Sequence, residues 1–185
     1  MIQLQHFCYM QENFFKDASI CDKIIENFES NSSQLQVIRN SGKPDFTQLE
    51  LKGNEGYELE AANAFADLAS KYVSYYENEA KLAIFPKNYQ FEGMRVKSYS
   101  PENNERFDYH VDAISKSSST RFLAMFVYLN DVEEGGETVF PTMEFKVKPK
   151  KNTLFMFPPL WMYPHSGQKP ISGKKYILST YLHFV

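Results

Sequence analysis

The chain is poor in the residues that build disulfide-stabilised or membrane-embedded proteins. Its 185 residues include two cysteines, Cys8 and Cys21, and one tryptophan. So few cysteines indicate a reduced intracellular protein rather than a disulfide framework, and their spacing matches no metal-binding cysteine motif. The sequence has no apolar run of transmembrane length and no basic, then apolar, signal-peptide pattern at its start. We therefore expect a cytoplasmic protein that does not contact a membrane.

The chain also lacks a strong charge of either sign. Its formal net charge is −3, which gives no support for nucleic-acid binding. A local cluster of lysines is most simply a solvated strand edge and turn; it consists of Lys146, Lys148, Lys150 and Lys151. Hydrophobic residues make up 43% and charged residues 23%, as in ordinary globular chains. We expect one domain over residues 1–185, with a substantial core.

The first half of the chain has mainly helical periodicity. After a short strand within residues 2–9, a helix is predicted to begin near Asp17, capped by Asp17 or Ser19, and to end after Ser30. Residues 40–56 are rich in glycine and proline and predict irregular structure with one short strand. A longer helix is predicted over residues 58–79. Its expected buried stripe consists of Leu59, Ala62, Phe65, Ala69, Tyr72, Val73 and Tyr76.

The second half of the chain changes to the periodicity of strands after Pro86, which ends any helix. The predicted strands are residues 91–99, 107–112, 122–129, 137–140, 144–147, 153–157, 165–168 and 175–184. Many short strands after two helices predict the α+β class, as a β-sandwich or open barrel with helices against one sheet. We expect residues 1–88 to be mainly helical support and residues 89–185 to form the core.

The main candidate for chemistry is the HVD motif at His110–Asp112, together with the distant His165. Side chains two apart on a strand share a face, so His110 and Asp112 can reach one metal. Two imidazoles and a carboxylate can occupy one face of octahedral iron(II), and they also serve catalytic zinc. Taken alone, however, the three residues are more simply explained as a chance pattern. Of the other histidines, His6 lies in the expected first strand and His183 in an apolar terminal strand, where a structural role is the simpler prediction.

The residues between and after these motifs resemble a known family. Residues 128–141 read YLNDVEEGGETVFP, and residues 164–182 read PHSGQKPISGKKYILSTYL. The first run resembles the signature between the metal motifs of prolyl 4-hydroxylase-like iron(II)/2-oxoglutarate-dependent oxygenases. In that family the distal histidine opens a hairpin whose second strand begins with lysine or arginine, which corresponds here to His165 and Lys175. The resemblance covers residues 91–182.

The resemblance implies a double-stranded β-helix, or jelly roll, with supporting N-terminal helices, and a single catalytic domain over residues 1–185. It implies that His110, Asp112 and His165 are the catalytic iron ligands and that Lys175 pairs with the distal carboxylate of the cosubstrate. Lys174 is an adjacent competitor, but strand alternation directs the two lysines to opposite faces. Further implied cosubstrate contacts are Tyr99, Tyr128, Thr138 and Ser179. Ordinary packing in strands is the alternative for each of these four.

The resemblance also implies the reaction. An iron(II)- and 2-oxoglutarate-dependent dioxygenase hydroxylates an unactivated C–H bond with dioxygen and releases succinate and carbon dioxide, and ascorbate is an implied reductant. The carboxylate of Asp112 favours hydroxylation, because the related halogenases lack it and bind halide instead. Peptidyl proline is the leading substrate. Alternatives are a free amino acid, a lysyl residue, another small molecule, or a non-catalytic jelly-roll binding module. A zinc hydrolase explains neither the signature run nor Lys175.

Overall fold

A computed structural model describes residues 4–41, 44–79 and 85–185. Within these ranges lie helices α1 (Ser19–Ser30) and α2 (Gly56–Ser74), and a π-helical turn, Tyr75–Glu79, extends α2. The strands are β1 (Tyr9–Gln11), β2 (Gln36–Arg39), β3 (Asp45–Glu50), β4 (Tyr89–Phe91), β5 (Arg95–Tyr99), β6 (Phe107–His110), β7 (Arg121–Tyr128), β8 (Thr138–Phe140), β9 (Phe145–Val147), β10 (Thr153–Phe157), β11 (His165–Gly167) and β12 (Lys175–Phe184). Neither helix combines the length and apolarity that crossing a bilayer demands.

The strands form two antiparallel sheets. The major sheet has the order β1-β10-β7-β12-β5-β3-β2, with β4 paired to β12, and the minor sheet has the order β6-β11-β8-β9. The N-terminal half therefore contributes β1, β2 and β3 to the major sheet in addition to the two helices. Helices and antiparallel sheets in one chain confirm the predicted α+β class.

The central strand β7 carries apolar side chains on both faces. Met125 and Val127 pack in a cluster with the two helices, whereas Phe126 and Tyr128 pack in a second cluster between the two sheets. Because side chains alternate along a strand, one continuous apolar run fills both layers. The helices thus cover one face of the major sheet, and the minor sheet faces the other. The space between the sheets holds the candidate site.

The N-terminal segment differs from the sequence prediction. Residues 4–7 form a 3-10 turn and the first strand is β1, so His6 lies outside a strand; the predicted residues 2 and 3 lie outside the described residues. The short strand predicted within residues 40–56 is found as β3. Strand β2 was not predicted, because it lies at the sheet edge with mostly exposed residues and therefore has no apolar alternation.

Helix α2 with its π-helical turn covers the predicted range, but the predicted buried stripe is partly wrong. The buried residues of α2 are Ala61, Phe65, Leu68, Ala69 and Tyr72. Leu59 is 41% exposed, because it precedes Ala61 by two positions and lies on the far side of the helix. The side chain of Tyr76 lies outside the described residues.

Strands in the second half lie close to their predicted positions, with two corrections. The predicted strand 91–99 is divided into β4 and β5, with Gly93 between them packed so closely on Glu50 that a Cβ would lie 2.7 Å from its Oε1. The predicted strand 107–112 ends at His110. The next residues leave the ladder, because the Ala113 amide donates to the carbonyl oxygen of Pro159 at 3.0 Å. Asp112 therefore lies in the loop after β6.

Candidate metal centre and cosubstrate cavity

Strand pairing brings the three predicted ligands together. In the register of β6 and β11, His110 lies opposite His165, and their ring centroids are 4.3 Å apart. The Asp112 carboxylate lies 3.4 Å from Nε2 of His110 and 3.8 Å from Nε2 of His165. One ligand atom from each of the three side chains lies within 4.8 Å of the other two, a spacing that suits a metal ion.

Backbone carbonyls orient both imidazoles. Nδ1 of His110 lies 2.7 Å from the carbonyl oxygen of Asp108, and Nδ1 of His165 lies 3.1 Å from that of Tyr163. A carbonyl oxygen only accepts hydrogen bonds, so each Nδ1 carries the hydrogen and each Nε2 keeps its lone pair. Both lone pairs belong to the atoms that face Asp112. This arrangement is typical of metal-ligating histidines, whose second nitrogen is fixed by an acceptor.

The electrostatics of the site keep the donors in their ligating forms. Burial lowers the pKa of His165 to about 4, although the Asp112 charge opposes this effect. Burial alone would raise the pKa of Asp112, but the neighbouring side chains of His110, His165 and Lys97 hold it well below its usual range. At neutral pH, His165 is a neutral imidazole and Asp112 a carboxylate. A set of imidazole and carboxylate donors fits iron(II).

A cavity of about 60 Å³ extends between the sheets from this group to Lys175. The Lys175 side chain is 2% exposed, and its Nζ donates to the carbonyl oxygen of Gly136 at 3.0 Å. Nζ also lies 4.4 Å from the ring centroid of Tyr99. Burial lowers the pKa of Lys175 to about 7, opposed by the charge of Glu137. No ion pair to this ammonium is found among the described residues, so a ligand carboxylate would satisfy a group that is costly to bury alone.

The two adjacent lysines lie on opposite sides of the strand, as alternation predicts. Lys175 points into the cavity, whereas Nζ of Lys174 lies 3.0 Å from the Glu29 carboxylate at the outer surface. Glu29 belongs to α1, so this contact is on the helical side of the major sheet. The geometry therefore offers Lys175, and not Lys174, to a molecule in the cavity.

The four other predicted cosubstrate residues do not lie at equal depth. Tyr99, Thr138 and Ser179 line the cavity. The Tyr128 hydroxyl lies behind this wall, 2.8 Å from Oγ1 of Thr138. Burial raises the pKa of both Tyr99 and Tyr128 well above the usual range, so both hydroxyls remain protonated and able to donate.

The sequence did not reveal a wider groove beside the metal ligands. It has a volume of about 640 Å³ and opens next to His110 and Asp112. Its other lining residues include Phe46, Lys97, Arg121 and Tyr181, from strands β3, β5, β7 and β12. Because they come from four strands, no local motif unites them. One signal was available, since Lys97 precedes Tyr99 by two positions and shares its face of β5.

Comparison with known proteins adds to this geometry. Residues 94–183 match the family model of the 2OG-Fe(II) oxygenase superfamily. Among similar curated proteins of Arabidopsis thaliana, Probable prolyl 4-hydroxylase 3 is 43% identical over 68 residues, which cover 34% of this chain and 24% of the relative. Probable prolyl 4-hydroxylase 11 is 31% identical over 113 residues, covering 56% of this chain and 39% of the relative. The chain thus spans less than half the length of these two relatives.

Solved structures resemble the whole fold. The viral collagen prolyl hydroxylase of Paramecium Bursaria Chlorella virus-1, solved with 2OG, has a TM-score of 0.71 and 23% identity over 97% of each chain. A Trichoplax adhaerens prolyl hydroxylase, solved with a hypoxia inducible factor oxygen degradation domain peptide fragment, has a TM-score of 0.73 and 16% identity, covering 96% of this chain and 83% of that one. At these identities the likeness is one of fold, and it confirms the predicted jelly roll.

The family match agrees with the site. Two oriented imidazoles and a carboxylate fit iron(II), and the buried ammonium of Lys175 at the other end of the cavity fits a dicarboxylate. The prediction of iron(II) and 2-oxoglutarate as cofactors is therefore confirmed. Residues 94–183, just under half of the chain, match the 2OG-Fe(II) oxygenase superfamily, and the similar relatives include prolyl 4-hydroxylases.

Proposed function

We propose that the protein is an iron(II)- and 2-oxoglutarate-dependent dioxygenase that hydroxylates peptidyl proline, with residues 1–185 forming one catalytic domain. One observation carries the proposal. A single cavity has His110, Asp112 and His165 at one end and the Lys175 ammonium at the other. This polarity complements 2-oxoglutarate, which chelates a metal through its keto acid end and has a free carboxylate at the other end.

Each residue has a defined task in this proposal. The two Nε2 atoms and the Asp112 carboxylate would hold iron(II). Bound iron and 2-oxoglutarate supply dioxygen activation and the oxidant for the C–H bond, with succinate and carbon dioxide as products. Lys175 binds the distal carboxylate of 2-oxoglutarate by a charge-assisted hydrogen bond. The task of Asp112 favours hydroxylation over halogenation, because its carboxylate fills the position that a halide would take.

The remaining cavity residues bind and orient the cosubstrate. Thr138 and Ser179 line the cavity, and Tyr99 covers the Lys175 ammonium with its ring. Tyr128 acts indirectly, because its hydrogen bond fixes the Thr138 hydroxyl. The apolar lining, which includes Phe126 and Phe157, excludes water from the reacting groups. None of these tasks requires a further ionisable side chain in the cavity.

Two observations support peptidyl proline as the substrate. The similar relatives are named as prolyl 4-hydroxylases, and the Trichoplax neighbour was solved with a peptide. The outer groove also lies directly beside Asp112 and presents the aromatic rings of Phe46 and Tyr181, which suit the packing of a proline ring. A reducing, cytoplasmic setting is part of the proposal. Its support is that Cys8 and Cys21 are both unpaired.

Anaerobic reconstitution tests the cofactor tasks. The protein is mixed with iron(II) and 2-oxoglutarate, and the visible metal-to-ligand charge-transfer band is recorded before and after oxygen is admitted. We expect the band to form and then to fade as succinate appears. Iron binding without the band would contradict chelation by 2-oxoglutarate at this site. Absence of iron binding would favour the non-catalytic jelly-roll module.

A peptide panel tests the substrate. Proline-containing peptides, matched peptides with alanine at the proline, lysine-containing peptides and free amino acids are incubated with the reconstituted enzyme. Mass spectrometry then detects the addition of one oxygen atom. We expect the addition only where proline is present within a peptide. Addition to lysine or to a free amino acid alone would overturn the proposed substrate while keeping the oxygenase reaction.

A further inference from the structure

Lys97 on β5 has a position that the cofactor chemistry does not explain. It lines both the inner cavity and the outer groove, so it lies in the wall between the metal ligands and the substrate side. Its Nζ lies 5.2 Å from the centroid of the Phe46 ring. Throughout the described ranges, no hydrogen bond or ion pair reaches this ammonium. The group is thus a cation on the substrate side without a partner of opposite charge.

The nearby carboxylates are already engaged. Asp112 attracts Lys97 electrostatically but is an iron ligand in the proposed function. Asp108, which also lines the groove, is paired with Arg106 at 2.8 Å. Once iron is bound, neither carboxylate is available to neutralise the ammonium. The half-buried Lys97 ammonium, left without a carboxylate partner, favours the binding of an anionic ligand.

The two guanidinium groups of the groove leave a further excess of positive charge. Arg95 and Arg121 both pair with the single carboxylate of Glu92, at 2.5 and 2.8 Å. The same carboxylate also accepts a hydrogen bond from Nε2 of His183 at 2.8 Å. The lining of the groove itself holds three cationic side chains, Arg95, Lys97 and Arg121, against the two carboxylates of Asp108 and Asp112. Its local charge is therefore positive although the chain carries a net charge of −3. Such a local field attracts acidic substrates.

We propose that Lys97 is a specificity subsite that binds a carboxylate of the substrate beside the carbon that is hydroxylated. The inference rests on the proposed function, because it takes the outer groove as the substrate side of the iron site. The carboxylate has two possible sources: the side chain of an acidic residue next to the proline of a peptide, or the α-carboxylate of a free amino acid. In both, the ammonium forms a charge-assisted hydrogen bond, and the Phe46 ring beside it holds the lysine stem in place.

Equilibrium binding under anaerobic conditions tests this subsite without turnover. The full chain is loaded with manganese(II) and 2-oxoglutarate, and dissociation constants are measured by calorimetry. The probes are short blocked peptides with glutamate or glutamine on either side of a proline, together with free L-proline and L-prolinamide. We expect one carboxylate probe to bind about tenfold to one-hundredfold more tightly than its amide counterpart, the range for a hydrogen bond between charged groups. The peptide and free-proline arms identify the source.

Variants of matched charge assign the discrimination to Lys97. In Lys97→Gln the ratio of the two dissociation constants should fall to about one, and in Lys97→Arg it should persist, by the loss or retention of the charged donor. Lys146→Gln removes the same charge from the exposed face of β9, away from both the cavity and the groove, and should keep the wild-type ratio. Equal binding of carboxylate and amide probes by the wild type, absence of binding by every probe, or an unchanged ratio in Lys97→Gln would overturn the proposal.

The same probes separate this inference from the proposed function. Peptides with alanine in place of proline are included in the binding series and in the oxygen-addition assay. Carboxylate discrimination that depends on Lys97, without hydroxylation of any proline, would refute the proposed substrate and keep the subsite. If the glutamate and glutamine peptides are both hydroxylated at proline and bind with equal affinity, the proposed function stands and the subsite is refuted.

Discussion

The variant Lys175→Met tests two effects of the buried ammonium separately: its effect on the free energy of unfolding and its effect on 2-oxoglutarate binding. The side chain is 2% exposed, and burial lowers its pKa from 10.5 to about 7. At about 1.36 kcal/mol for each pH unit, keeping this lysine in the fold at pH 7 costs at most about 5 kcal/mol. The hydrogen bond to Gly136 and the cation–π contact with Tyr99 offset about 2–4 kcal/mol of that cost. We therefore expect Lys175→Met, without 2-oxoglutarate, to raise the free energy of unfolding by about 1–3 kcal/mol at pH 7.

The pH dependence provides a second check with a definite sign. The pKa of Lys175 is lower in the folded than in the unfolded state, so between pH 7 and 10.5 the unfolded chain binds the extra proton. This lysine therefore destabilises the fold most at and below pH 7, and the penalty fades as the pH rises towards 10.5. Urea unfolding of the wild type and of Lys175→Met should show a stability difference that shrinks over that window.

Cosubstrate binding should change in the opposite direction to stability. Losing a charge-assisted hydrogen bond should weaken 2-oxoglutarate binding by about tenfold to one-hundredfold in Lys175→Met, measured by the charge-transfer titration. Lys174→Met is the matched control, because Lys174 contacts Glu29 on the outer face, and its 2-oxoglutarate affinity should remain that of the wild type. A variant Lys175→Met that is less stable than wild type at pH 7 and binds 2-oxoglutarate equally well would refute the reasoning.

Three further predictions concern other contacts. Asp112→Ala removes the anionic ligand and should abolish hydroxylation and the charge-transfer band. The control Asp67→Ala, on the exposed face of α2, should keep both. Full activity of Asp112→Ala would refute the role of Asp112 as an iron ligand. Burial alone would raise the pKa of Glu92, but hydrogen bonds from Arg121, His183 and Arg95 lower it to about 2. The ionised Glu92 therefore stabilises the fold fully above pH 4.5, and this stabilisation is lost as the pH falls towards 2. In Glu92→Gln, the urea midpoint of unfolding should fall less steeply than in the wild type between pH 4.5 and pH 2. An equally steep fall in the variant would contradict the reasoning. Asn152→Ala removes two buried hydrogen bonds to the Phe15 backbone, at 2.8 and 3.0 Å, and should lower the free energy of unfolding by about 2–4 kcal/mol; a loss below about 1 kcal/mol would contradict it.

Local sequence was sufficient for features that depend on neighbouring residues along the chain. The strands 153–157 and 175–184 have the predicted bounds, because their apolar runs are flanked by clear turn residues. Alternation alone assigned Lys175 and Lys174 to opposite faces. The HVD spacing paired His110 with Asp112 even though the strand ends at His110, because a loop residue two positions on still reaches the same metal position.

Features that join distant segments required the tertiary structure. No local rule places His165 opposite His110, since the register of β6 and β11 depends on how the whole minor sheet assembles. The same is true of the contact between Tyr128 and Thr138, whose hydroxyl groups lie 2.8 Å apart although they come from different sheets.

The outer groove is the clearest case. Its residues Phe46, Lys97, Arg121 and Tyr181 come from four strands whose order in the major sheet is not their order in the chain. The sequence by itself determined the fold class through periodicity and the types of candidate ligands through short motifs, and its resemblance to a known family implied the cofactors. The position of cations around the substrate side was decided only by the pairing of strands, because non-local contacts bring together residues that carry no shared pattern.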